Sequence, residues 1–118
     1  MADLKNLSEG SGIDYAEAME RFGGNEALYL RLAAKFLNDP HFAALDEALE
    51  RGDLEAAQRE AHSLKGVAGN LSFDKLFHVA CEMNDALRAS DETTARSLMP
   101  KAREAYERVC DTLRSLEG

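Results

Sequence analysis

The sequence predicts an all-α protein, an up-and-down antiparallel four-helix bundle with an additional short N-terminal helix. Three observations predict it. Helix-disfavouring residues are scarce: 8 Gly and 2 Pro in 118 residues, in a chain rich in Ala, Leu and Glu. Apolar residues recur at spacings of three and four, the period of a helix with one buried face. The polar breaks between these stripes are short, which makes consecutive helices antiparallel neighbours. The length suits one domain, large enough to bury roughly 60–70% of its unfolded surface without disulfide staples.

Each element follows from its own signals. Residues 1–12 read as a loose polar lead-in, and residues 13–117 as the bundle domain. Asp14 caps a short helix carrying Tyr15, Met19 and Phe22, and Gly23-Gly24 stops it. Asn25 opens a second helix with Leu28, Leu32, Phe36 and Leu37 on one face. Asn38-Asp39-Pro40 interrupts. Phe42, Leu45 and Leu49 continue the stripe to Gly52, either as a separate helix or as a kinked extension.

Asp53 is the N-cap of the next helix. Its stripe is Leu54, Ala57, Ala61, Leu64, Ala68 and Leu71, in steps of 3, 4, 3, 4 and 3. Ser72 is expected to cap the following helix, with Phe73, Leu76, Phe77, Ala80, Met83 and Leu87 inward. Asp91 opens the last helix, whose stripe runs Leu98, Ala102, Ala105, Tyr106, Val109, Leu113 and Leu116. Pro100 lies inside that stripe and should kink it or mark its true start.

Charge narrows the function. Lys plus Arg number 14 and Asp plus Glu 22, a net charge of −8. No basic stripe exists to displace counterions from nucleic acid or to dock on an anionic membrane. No apolar run approaches the roughly 20 residues of a membrane span, and the N-terminus has no signal-peptide core. Cys81 and Cys110 form no CxxC pair. A reducing, cytoplasmic setting is the expectation.

One stretch departs from a plain bundle helix: Ala61-His62-Ser63-Leu64-Lys65-Gly66-Val67-Ala68-Gly69-Asn70. Two glycines lie inside it, and each costs about 1 kcal/mol relative to Ala at an exposed helical position. At about 100° per residue, Gly66 lies opposite the buried stripe. His62 and Gly69 lie roughly 110–130° from that stripe, and Lys65 roughly 70° from it on the same flank. His62, Lys65, Gly66 and Gly69 thus share one face. An imidazole stands on the solvent side, an ammonium lies one turn away, and bare backbone adjoins both. The glycines read as clearance that lets another protein's surface reach the imidazole.

Imidazole is a competent nucleophile near neutral pH, because histidine ordinarily titrates near 6.5. Ser63 is about 100° round the helix from His62, so no relay between them is expected. Lys65 can offset charge on an attached phosphoryl group. Phosphoryl transfer relies on positioning and charge stabilisation. A lone exposed histidine therefore suffices if a partner brings the metal and the acidic residues. Glu55, Gln58, Arg59, Gly66 and Gly69 are the expected docking residues around it.

The segment AHSLKGVAGNLSFDKL resembles the signature of histidine-containing phosphotransfer (Hpt) domains, approximately AHxLKGxAxxxGxxxL. The upstream segment GIDYAEAMERFGGNEALYLRLAAKFLND is similar to the N-terminal part of that family, of the type attached to hybrid sensor kinases. The resemblance spans about residues 12–115. It implies a four-helix bundle whose phosphorylatable histidine is His62, with no kinase activity of its own. It implies that His62 accepts a phosphoryl group from a receiver-domain aspartate and passes it to another. Lys65 would assist at the phosphoryl group and Gly66 would permit close docking. Partners would be response-regulator receiver domains and a hybrid sensor histidine kinase, with the chain a monomer. No cofactor is expected in this chain, and Mg2+ is expected on the receiver. Ser72 stands where the family pattern has Gly.

Two other readings compete. A helical interaction module that binds a receiver without chemistry leaves His62 and Lys65 unexplained. The dimerising half of an autokinase would place an acidic residue after the histidine and a proline a few residues on, where this chain has Ser63 and Val67. His78, Cys81 and Glu82 have ligand-like spacing but lack a fourth partner, so no metal site is expected.

Overall fold

The computed structural model describes residues 11–117. Among them are six α-helices and one 3-10 turn: α1 Tyr15–Arg21, α2 Glu26–Ala34, the turn Lys35–Asn38, α3 His41–Arg51, α4 Leu54–Asn70, α5 Asp74–Arg88 and α6 Glu92–Glu117. No described helix is long and apolar enough to cross a membrane.

Helices α3 to α6 form the up-and-down bundle. Pairs of side chains fix the alternation of direction. His41 at the start of α3 meets Glu60 on α4, Gln58 on α4 meets Asn84 near the end of α5, and Glu82 on α5 meets Lys101 on α6. Arg103 of α6 closes the ring onto Asp46 of α3. The core between them holds Leu45, Leu64, Phe73, Leu76, Val79, Met83 and Val109, all fully or almost fully buried. Short helices α1 and α2 cover one end. There Tyr29 reaches in and its hydroxyl donates to the Leu71 carbonyl at 2.5 Å.

The predicted caps form at Asp14, Asn25, Asp53 and Asp91. Each carboxylate or amide oxygen accepts from the backbone N–H three residues on. The stripe after Asn38-Asp39-Pro40 belongs to a separate helix, α3, not to an extension of α2. Helix α6 begins at Glu92 and runs through Pro100, so Pro100 does not mark its start. Ser11 and Gly12 were expected in the loose lead-in, but they belong to the packed body. Ser11 is buried and its Oγ accepts from the Ile13 N–H, while Gly12 lies against Val109.

Ser72 does not cap α5. The N-cap position is Phe73, which makes no side-chain capping bond. Ser72 instead ends α4 in the left-handed region, at φ 59°. Its N–H donates to the Gly69 carbonyl at 3.3 Å and the Phe73 N–H to the Ala68 carbonyl at 2.9 Å. This is the paired-bond helix stop that normally uses glycine at its left-handed residue. The same pair of bonds ends α1 at Gly23, α3 at Gly52 and α5 at Ser90. Ser72 is fully buried, and its hydroxyl has no hydrogen-bond partner. The serine therefore occupies a position whose left-handed backbone suits glycine.

Candidate functional site

Helix α4 presents four stripes. Ala57, Ala61, Leu64 and Ala68 are buried in the core. Glu60, Ser63 and Val67 are half-buried on the side of α3, where Glu60 Oε1 lies 2.7 Å from His41 Nδ1. Gln58, Lys65 and Gly69 are half-buried on the side of α5. The crest is exposed and consists of Glu55, Arg59, His62, Gly66 and Asn70.

His62 is thus in solvent, as its place in the sequence pattern predicts. Gly66, one turn further on, is also exposed, and a Cβ built on it would meet nothing within 4 Å. The bare backbone beside the imidazole faces open space, so clearance is its physical consequence. Lys65 is half-buried on the adjoining flank and makes no ion pair or hydrogen bond among the described residues.

The other expected docking residues divide. Glu55 and Arg59 lie on the crest and pair with each other at 3.4 Å, an exposed i,i+4 contact worth little energy. Gln58 is committed inside the protein, its Nε2 donating to Asn84 Oδ1 at 2.9 Å. Gly69 is a correction. A Cβ there would lie 3.0 Å from Phe77 Cε1, so its missing side chain admits the Phe77 ring of α5 rather than a visiting protein. An angle of roughly 110–130° from the core stripe falls at the edge of a neighbouring helix, where a long aromatic closes the gap.

His78, Cys81 and Glu82 do not gather. His78 is exposed, its ring centroid 5.6 Å from that of Phe77, and Glu82 pairs with Lys101 at 3.3 Å. Sequence reasoning missed a different group. Asp14, Glu17 and Asp74 bring carboxylate oxygens within 4.8 Å of one another where α1 meets the start of α5. Burial, then the charges of Glu17 and Asp14, push the Asp74 carboxyl above its ordinary value. Only the tertiary fold brings these residues together, so no local spacing signals them.

The sequence model of the Hpt domain matches residues 37–114, which takes in the whole of α3 to α5 and most of α6. No curated protein and no solved structure gives a significant match. Hpt domains are phosphotransfer modules of two-component phosphorelays, without intrinsic kinase activity, and they interact with receiver domains and histidine kinases. The match covers more than half of the chain and coincides with the helical bundle, and the chain belongs to the Hpt domain family.

Proposed function

We propose that this chain is a phosphorelay intermediate whose phosphoacceptor is His62. The observation that carries the reading is the crest of α4: an exposed imidazole with open space over Gly66 one turn away. The unprotonated ring nitrogen attacks the phosphorus of an aspartyl phosphate on a receiver domain. A P–N bond forms as the acyl-phosphate P–O bond breaks, the aspartate leaves as carboxylate, and the proton on the other ring nitrogen exchanges with solvent. In the onward step a second receiver's aspartate attacks the phosphorus and the imidazole leaves. Little covalent machinery is needed, because the reaction depends on alignment and charge stabilisation.

Lys65 stands one turn from His62 and offsets the phosphoryl charge, with the modest strength of a partly solvated cation. Gly66 keeps the approach open. Glu55 and Arg59 border it on the crest. In this reading Mg2+ belongs to the receiver, the chain holds no cofactor of its own, and it works in the cytoplasm as a monomer. Its partners are receiver domains, with a hybrid sensor histidine kinase upstream.

The test is incubation with a phosphorylated receiver. The wild-type chain should acquire an acid-labile, base-stable phosphate. His62→Gln should acquire none while keeping its helical circular dichroism. Label retained in that variant would end the assignment. A receiver that binds the wild-type chain and leaves no phosphate on it would support the binding-module reading instead.

A further inference from the structure

Helices α5 and α6 border a groove of about 390 Å³, lined by Lys75 and His78 of α5 and by Lys101, Glu104, Ala105 and Arg108 of α6. No residue of α4 lines it. The ion pair between Glu82 and Lys101 sets the register of the two helices. They run antiparallel, so one turn back from Glu82 brings His78 level with Ala105, and the next brings Lys75 level with Arg108. Ala105 is half-buried, and its single methyl keeps the floor of the groove low. Lys101 and Arg108 rise on either side of it, about 10 Å apart along α6. Lys75, His78, Lys101 and Arg108 are all exposed.

The charge of this groove runs against that of the chain. Its lining holds three permanent cations and a histidine against one carboxylate, Glu104, in a protein of net charge −8. Glu104 lies 3.7 Å from Arg108, and Glu82, at the rim, lies 3.3 Å from Lys101. Both pairs are solvent-exposed and hold their partners by about 1 kcal/mol or less, so an arriving anion displaces them at little cost. Lys75 makes no ion pair or hydrogen bond among the described residues. The adjoining carboxyl, Asp74, is gathered with Asp14 and Glu17.

We propose that the α5–α6 groove binds a small molecule that carries a diphosphate or a longer phosphate chain. One phosphate lies over Ala105, between His78 and Lys101. The next is held by Lys75 and Arg108, whose guanidinium offers paired N–H donors to phosphate oxygens. A planar, singly charged carboxylate leaves most of these donors unused. A single tetrahedral anion meets one pair of cationic side chains and not both. The ligand is held by charge and hydrogen bonds, no covalent bond forms, and the site does not depend on the role of His62.

The experiment is a titration of the chain with pyrophosphate at fixed pH and ionic strength, followed by NMR through the ring signals of the three histidines. The His78 signals should shift saturably and further than those of His41 or His62. Sulfate should bind at least about threefold more weakly, because it meets only one pair of cations. Lys75→Ala breaks no ion pair of the fold and should weaken pyrophosphate about threefold. Ala105→Leu keeps every charge but fills the floor, and should abolish the His78 shift with circular dichroism unchanged. Equal affinity for sulfate would mean an adventitious ion only and would overturn the site. So would a shift centred on His62, or a His78 response undiminished in Lys75→Ala and Ala105→Leu.

Discussion

Replacing Ser72 by glycine stabilises this domain, even though it removes a fully buried side chain. Two unfavourable features disappear together. A non-glycine residue in the left-handed region costs about 1–2 kcal/mol, and Ser72 sits there at φ 59°. A buried hydroxyl without a partner costs about 1–3 kcal/mol, and Ser72 Oγ is such a group. Against this, glycine adds about 0.5–1 kcal/mol of unfolded-chain entropy. The net gain is about 1–4.5 kcal/mol, which at this chain length corresponds to roughly 4 °C in Tm per kcal/mol. Urea and thermal denaturation of three proteins separate the contributions. Ser72→Ala removes the hydroxyl and keeps the strained backbone, so the expected order is Gly above Ala above Ser. Ser90 has the same backbone, at φ 58°, but is exposed. Ser90→Gly should therefore gain only the backbone part, less than Ser72→Gly. A Ser72→Gly protein no more stable than Ser72→Ala would refute the account of this helix stop.

Gly66→Ala should stabilise the fold by about 0.5–1 kcal/mol through helix propensity, because its Cβ enters open space. Gly69→Val should lower Tm, because its side chain meets the Phe77 ring; denaturation curves of the two read the difference. Tyr29→Phe should cost about 1–2 kcal/mol by leaving the Leu71 carbonyl unpaired. Burial, then Asp74, raises the Tyr29 hydroxyl above its ordinary value of 10.0, and burial first pushes Tyr106 up to about 12. Stability from these raised values is complete below the unfolded value near 10 and declines as pH rises above it. Tyr29→Phe should flatten that alkaline decline, measured by denaturation from pH 8 to about 11. Asp74 has a raised carboxyl, so its contribution is fully present below the ordinary value of 3.8 and is lost as pH rises through its folded value. Asp74→Asn should therefore be more stable than wild type at neutral pH, and the advantage should vanish at acid pH in the same assay.

The parts of the fold that depend on one helix at a time were legible in the sequence. The core stripe of α4 from Ala57 to Ala68 is written in its spacing, and so are the caps at Asp14, Asn25, Asp53 and Asp91. Ser72 was misread because serine is a good capping residue and nothing local announces a left-handed backbone. The conformation is imposed by the bonds from Ser72 and Phe73 back to Gly69 and Ala68. Gly69 was misread for a related reason. Its direction from the helix axis is computable, but whether that direction holds water or the Phe77 ring depends on the next helix. Gly66 was legible because it points directly away from the core, and His62 because it lies on the same exposed crest of α4. Contacts between separate elements, such as His41 with Glu60 or Asp74 with Asp14 and Glu17, leave no trace at helical spacing.

The chain has three histidines, and they differ in setting. His41 pairs with Glu60, His78 lies against Phe77, and His62 stands on the crest of α4. The most direct measurement is mass-spectrometric mapping of the phosphorylated residue, under alkaline conditions that preserve phosphohistidine, after exposure to a phosphorylated receiver. The account predicts phosphate on His62 alone. Phosphate on His41 or His78, or a receiver that loses its phosphate with none arriving at His62, would contradict it.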